Sequence, residues 1–337
     1  MRTIQELADT TTSHNTDLLA KRWLDVILES AQKKMFFLSV AQQYDLPEGT
    51  KDLVVPYRYG YWSTLGTSVT DTTTEGGAVS YTTFDNLKGV TFTPTPHAYG
   101  IAISNAALRK NAVNLIAAAR RELSDYQADV IDQAIASALS GATDASSSDK
   151  GATVLYGGDA YSTATLESGD ILTTDMIAKA RRILMGTTAY YWSGSSFTAS
   201  SEGKAPWFPE PDAPFVLFIA PEQEEALLTD SQFVNASEYG SGEIVLNGEI
   251  GKYLGIKVIS SVNTPSATTW GSGGNLRGHT CLLVKSKYAV GIAWSQRPRL
   301  RIFEYPSELE TRLVLEQDFE AKAIHTDAIV KLRVTDS

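Results

Sequence analysis

The residues between Tyr61 and Tyr99 constrain this chain most. They read as extended, carry almost no charge and contain too little aliphatic material to make a core. Between Ser63 and Thr83, 11 of 21 residues are Ser or Thr, and Leu65, Val69 and Val79 are the sparse aliphatic positions. Thr, Tyr, Val and Phe favour strands, and Glu75-Gly76-Gly77 between the Thr-rich arms suits a hairpin turn. A two-stranded ribbon this polar is marginal alone in water. It needs a second surface, either the chain's own body or a neighbouring subunit.

Composition limits what that surface can be. With 337 residues, 43% of them hydrophobic and 20% charged, the chain can bury one or two cores in the manner of a soluble globular protein. A formal charge of -10 repels bulk nucleic acid, which excludes a sequence reader of DNA. One cysteine, Cys281, permits no internal disulfide, so stability comes from packing or assembly. Met1 to Glu6 opens no apolar signal segment, and no run approaches the roughly 20 apolar residues that span a bilayer, so a cytoplasmic setting is expected.

The periodicity then divides the chain. After a polar lead, Asn15 or Thr16 is placed to cap a helix to about Leu38, with Leu19, Trp23, Ile27 and Ala31 on one stripe, an amphipathic helix on an arm. From Ile101 to Ser140 there is no Gly or Pro. Ser104 is placed to cap the start and Gly141 to end the helix in a left-handed turn. Leu108, Ala112, Leu115, Ala119, Leu123, Tyr126, Val130, Ala134 and Ala138 form one stripe, predicting a spine of 36 residues, roughly 54 Å long. Arg109, Lys110, Arg120 and Arg121 occupy its first half, and Glu122, Asp125, Asp129 and Asp132 its second. That segregation suits neighbours carrying complementary charge, or simply a solvated face.

Residues 142 to 170 are rich in Gly, Ser, Asp and Thr and read as a loop at a domain boundary. A helix from Thr173 or Thr174 to Gly186 follows, and then an aromatic and Pro-rich surface excursion from Tyr190 to Pro214. Phe215 to Ala220 reads as a strand buried on both faces, with a short helix opening at Pro221 and further strands at Gly255 to Ser260 and Thr280 to Val284. From Leu309 the chain alternates, with Leu313, Leu315, Phe319, Ala321 and Ala323 on one face. His325-Thr326-Asp327 reads as a turn before a closing strand through Val330, Leu332 and Val334, and the long helix is the expected partner of both strands.

The search for chemistry returns little. His14, His97, His279 and His325 have no metal-ligand spacing, Gly271 to Asn275 lacks the Lys-Ser/Thr of a phosphate loop, and no Gly-x-Ser-x-Gly elbow exists. Cys281 lies in an apolar run, where a buried inert thiol is the default. Glu224 and Glu225, adjacent on a helix, do not share a site. No catalytic residue, cofactor or metal is expected.

The run from Leu217 through Pro221 and Leu227 to Gly240, followed by Gly248-Glu-Ile-Gly-Lys-Tyr-Leu-Gly-Ile-Lys-Val-Ile-Ser-Ser261, resembles the central domain of tailed-bacteriophage major capsid proteins of the HK97-like fold. It is similar in particular to the N4-like branch. The order of arm, ribbon, spine helix, second helix and closing strand Asp327-Ala-Ile-Val-Lys-Leu332 is similar as well.

The resemblance implies an α+β fold with an N-terminal arm at 1–50 and an extended β-hairpin loop at 51–99. A peripheral domain at 100–170 and 309–337 would hold the spine, and 171–308 would form a mixed α/β axial domain around five- and six-fold centres. It implies a major capsid protein that self-assembles into pentamers and hexamers of an icosahedral head, built in the host bacterial cytoplasm and enclosing double-stranded DNA without sequence-specific binding or membrane contact. Scaffolding, portal and decoration proteins are the implied partners. The expected subunit interface comprises Tyr61, Trp62, Val69, Val79, Tyr81, Phe84, Trp23, Arg109, Arg120, Arg121, Asp125 and Asp129. Some members crosslink a loop lysine to a neighbour's asparagine, but Tyr61 to Leu87 contains no Lys and only Lys88 lies at the base, so covalent chainmail is not expected. Fifty residues before the ribbon are too few for a cleaved scaffolding segment, which implies a separate scaffold or an uncleaved arm. An encapsulin-like shell around cargo enzymes is the alternative, which neighbouring genes would separate, and turnover by a purified monomer would instead favour a hydrolase with an α/β core.

Overall fold

The computed structural model describes residues 35–58, 87–110, 114–194, 196–229 and 249–336. In chain order, a 3-10 turn at Phe37–Ser39 leads to β1 (Gln42–Asp45), β2 (Leu53–Arg58), β3 (Leu87–Phe92) and β4 (Thr95–Ser104). Two helices follow, α1 (Asn105–Lys110) and α2 (Leu115–Ser140), and then β5 (Thr153–Tyr156), α3 (Thr174–Met185), β6 (Thr188–Trp192) and β7 (Phe197–Gly203). The remainder is β8 (Phe215–Ile219), α4 (Pro221–Thr229), β9 (Glu249–Tyr253), β10 (Ile256–Ser260), β11 (Ser266–Trp270), β12 (Leu276–Lys285), β13 (Val290–Tyr305), β14 (Glu310–Ala323) and β15 (Ile329–Thr335).

The described chain divides into two units. The first holds 98–110, 114–126 and 300–315, and the second the rest. In the first unit, Ile103 of β4, Ala119 and Leu123 of α2, and Leu313 and Leu315 of β14 form a small core flanked by Tyr99, Ile101, Leu115 and Ile116. The alternation of β14 creates this core, since every second side chain from Thr311 to Phe319 is buried. Tyr99 meets the half-exposed Tyr126 edge to face, with centroids 4.6 Å apart.

The second unit is built on a seven-stranded mixed sheet in the order β5-β15-β12-β8-β10-β9, with β11 beside β12. Strand β12 runs antiparallel to both β8 and β15, and β5 runs parallel to β15. The continuous apolar run at β8 is buried throughout, as a strand covered on both faces must be. Helix α3 starts where Thr173 accepts a hydrogen bond from the Met176 N–H and stops at Gly186, and it buries Met176, Ile177, Ala180, Ile183 and Leu184. Between β9 and β10, the two-residue turn Leu254-Gly255 has φ of 51° and 76°, the geometry of a tight hairpin.

Several expectations change. The predicted 36-residue rod from Asn105 to Ser140 is two helices, and its expected start after Ser104 holds. Ser104 Oγ caps the first by accepting from the Ala107 N–H at 3.2 Å, and Asn114 Oδ1 starts the second by accepting from the Ala117 N–H at 3.1 Å. The second, α2, has 26 residues, about 39 Å. Of its stripe, Ala119 and Leu123 are buried; further on Val130, Ala134 and Ala138 are only partly buried against the main core, and Ile131, Asp132, Ile135, Ala136 and Leu139 are the buried positions. Gly141 ends α2 without a left-handed φ, its N–H bonding the Ser137 carbonyl at 2.8 Å. The loop at 142–170 contains the edge strand β5, and the excursion after Tyr190 contains the β6–β7 hairpin, where Tyr190 stacks on Phe197. The closing strand β15 takes β12 and β5 as its partners.

Candidate assembly interface

Of the segment expected to form an extended loop, the described residues form a paired base. Strands β2 and β3 pair antiparallel from Leu53↔Phe92 to Arg58↔Leu87. Leu53, Val55 and Tyr57 turn inward and Val54 and Pro56 outward, the alternation of a ribbon with one covered face. The covered face rests on its own subunit, where Phe92 is buried with Ala293 and Ile324 beside Tyr44 and Val90. Lys322 Nζ donates to the Thr91 carbonyl at 2.9 Å and ties β3 to β14. Tyr57 meets His325 edge to face at 4.9 Å, and Trp207 packs on the same imidazole at 5.1 Å. Burial pushes the His325 pKa down to about 4, so near neutral pH this ring is an uncharged aromatic spacer. The loop base is therefore fixed within the subunit, and residues 59–86 connect its two strands.

The 3-10 turn at Phe37–Ser39 is held to α2 by a second device. Asp132 of α2, fully buried, accepts from the Phe37 N–H at 2.7 Å, and Asn263 Nδ2 donates to Asp132 Oδ2 at 3.1 Å and to Asp129 Oδ1 at 3.0 Å. Phe37 stacks on Phe218 of β8 with centroids 4.0 Å apart. Desolvation raises the Asp132 pKa to about 6, against the opposing pull of its hydrogen bonds from Asn263, Phe37 and Leu38.

Of the expected interface residues, Trp23, Tyr61, Trp62, Val69, Val79, Tyr81 and Phe84 lie outside the described residues, as does the turn at Glu75 to Gly77. Arg109, Arg120 and Arg121 are exposed on α1 and α2, and Asp125 is half-buried. Asp129 is engaged within its own subunit, accepting from Asn263 and from Gln133 Nε2 at 3.0 Å. Sequence reasoning did not single out the Phe37–Asp132–Asn263 cluster or strand β2. The alternation of Leu53, Val55 and Tyr57 was the available signal for the strand, and none existed for a contact across 95 residues.

Little else in the described residues suggests chemistry. No group of three His, Cys, Asp or Glu could hold a metal ion, and no helix is long and apolar enough to cross a membrane. Cys281 is buried in β12, and burial pushes its thiol up to about 12, an unreactive state.

The family described as phage capsid protein matches residues 87–332. Among solved structures, the capsid of Ralstonia phage GP4 is 15% identical with a TM-score of 0.66, covering 97% of this chain and 98% of that one. The capsid of cyanophage Pam1 is also 15% identical, with a TM-score of 0.67 and coverage of 97% and 99%. The head structure of Helicobacter pylori bacteriophage KHP40 is 14% identical, with a TM-score of 0.60 and coverage of 99% and 100%. These similarities establish the HK97-like fold over nearly the whole chain. Comparison with curated proteins by sequence gives no significant match.

Proposed function

The chain belongs to the phage capsid protein family, and from that premise we propose that it is the major capsid protein of a tailed phage, closing as pentamers and hexamers into an icosahedral head. One observation carries the reading beyond family membership. A paired hairpin base is fixed to its own subunit while the 28 residues between Arg58 and Leu87, mostly polar and poor in aliphatics, have too little apolar area to make a core. In a closed shell that segment lies on a neighbour, and symmetry multiplies each weak contact. The exposed Arg109, Arg120 and Arg121 and the half-buried Asp125 are placed to meet complementary charge on adjacent copies.

The work done is assembly, not catalysis. A formal charge of -10 suits a container whose double-stranded DNA must not adhere to the wall, with scaffolding, portal and decoration proteins as further partners. Assembly takes place in the bacterial cytoplasm. Negative-stain microscopy of the full chain, expressed with and without its neighbouring gene products, tests this reading. Closed shells of uniform size support it, and monomers alone in every combination overturn it.

A further inference from the structure

A cleft of about 330 Å³ opens between α3, strand β5 with the Gly158 to Ala160 turn, and the β6–β7 hairpin. Its walls are Leu155, Tyr156, Ile183, Trp192 and Phe197, an apolar and aromatic lining. Trp192 Nε1 is buried there without a hydrogen-bond partner, and Tyr161 stacks on the Trp192 ring at 5.1 Å. Two cations, Lys179 and Arg182, stand at the lip three residues apart on one face of α3, against one carboxylate, Asp159. Both cations are exposed, and neither has an ion-pair partner among the described residues. An apolar pit with a net positive lip fits an apolar knob flanked by carboxylates.

The same unit carries such a knob. On α4, Leu228 is 52% exposed, and Glu224 and Glu225 lie one turn back on its face. No residue of α4 lines the cleft, and β8, which leads into α4, is three strands away from β5 in the sheet, roughly 14 Å. Knob and pit are therefore distinct sites of one unit, so a contact that joins the pit of one copy to the knob of the next is head-to-tail.

We propose that the α3 cleft receives the Glu224-Glu225-Leu228 ridge of the next copy, with Leu228 entering between Ile183 and Trp192 while Lys179 and Arg182 face the two glutamates. This rests on the assembly reading above and names the contact between adjacent copies within a ring. The complementary charges set the direction of closure, because a ridge meeting a ridge or a cleft meeting a cleft opposes like charges.

The test is cysteine crosslinking of the full chain in assembled particles. Carrying both Lys179→Cys and Glu225→Cys, the chain treated with a short bis-maleimide should give a ladder of covalent oligomers up to the ring size, and either single variant should not. Cys281, buried and protonated, stays out of the reaction. Assembled particles without a ladder overturn the contact. In a second arm, reversing Lys179 and Arg182 to Glu should lower the assembled fraction at least tenfold with melting unchanged, and adding Glu224→Lys and Glu225→Lys should restore it to within about threefold. Wild-type assembly of the one-sided reversal, or no rescue by the fourfold variant while it remains folded, sinks the docking proposal and leaves the capsid reading standing. A wild-type chain that never assembles defeats both.

Discussion

Asp132 on α2 accepts the backbone N–H of Phe37 at 2.7 Å across 95 residues of chain, and so fixes the 3-10 turn at Phe37–Ser39 to α2. The acceptor is fully buried, and Asn263 closes its other oxygen. Phe37 in turn stacks on Phe218, so one carboxylate sets both a backbone turn and an aromatic contact in the core.

The pH dependence of that contact has a definite sign. The Asp132 pKa is raised to about 6 from an ordinary value of 3.8, so between about pH 4 and pH 6 the folded chain holds this proton more tightly than the unfolded chain. Its contribution to stability therefore falls as pH rises through that window and is flat above it. Two units correspond to about 2 to 3 kcal/mol. Asp132→Asn keeps an oxygen for the Phe37 N–H and removes the titration. Urea unfolding at pH 4 and pH 7 should show the wild type losing about that much relative to the variant, and parallel profiles would refute the assignment.

Leu123 sits at 4% exposure between β4 and β14, packed with Ile103, Leu313 and Leu315. Leu123→Ala removes buried carbon and leaves a cavity, with an expected loss of about 2 to 4 kcal/mol. Leu123→Asp adds an unpaired buried charge and should give insoluble protein. Melting and soluble yield check both, and near-wild-type values would show that this small core does not hold its unit together.

The parts of the fold that could be read from sequence are those where one local pattern decides the outcome. The unbroken run at Phe215 to Ile219 can only be a covered strand, Thr173 and Gly186 bound α3, and the alternation of Leu313, Leu315 and Phe319 marks β14. Where two patterns compete, the reading fails. The stretch from Ile101 to Ser140 has no helix breaker, but the Asn114 side chain starts a new helix by capturing the Ala117 N–H, a local hydrogen bond that propensity does not reveal. Strand β13 combines a buried segment with Gln296-Arg297-Pro298-Arg299, so neither a period of two nor a continuous apolar run identifies it, and pairing with β1 and β14 makes it a strand. Asp132 follows the same logic. A carboxylate on an amphipathic helix reads as solvated, and its partners lie in two distant segments.

Leu254 holds φ of 51° in the turn between β9 and β10, a left-handed conformation that a branched side chain adopts at a cost of order 1 kcal/mol. Its side chain is nearly half exposed, so it contributes little burial in return. Leu254→Asn, a residue that tolerates this region, should stabilise by up to about 1 kcal/mol, and Gly255→Ala at φ of 76° should destabilise by a similar amount. Thermal melts of the two variants moving in the same direction would contradict the turn geometry.

The loop proposed to reach a neighbour, between β2 and β3, can be tested apart from folding. The last paired residues of its base are Arg58 and Leu87, and the base is held by Phe92 in the core and by Lys322 on the Thr91 carbonyl, none of which depends on the residues between. Deleting Thr67 to Thr82 leaves twelve residues, 59–66 and 83–86, to bridge two strand ends that hydrogen bonding sets about 5 Å apart. Chain length is thus ample, and the loop-closure term changes by less than about 1 kcal/mol. The subunit should remain soluble with a melting temperature near that of the wild type. Shells should not form, because the removed segment is the Ser- and Thr-rich part proposed to lie on a neighbour. Sedimentation and negative-stain microscopy read both results together. Normal shells would show that the segment makes no essential contact, and a collapsed melting transition would show that it belongs to the core of its own subunit.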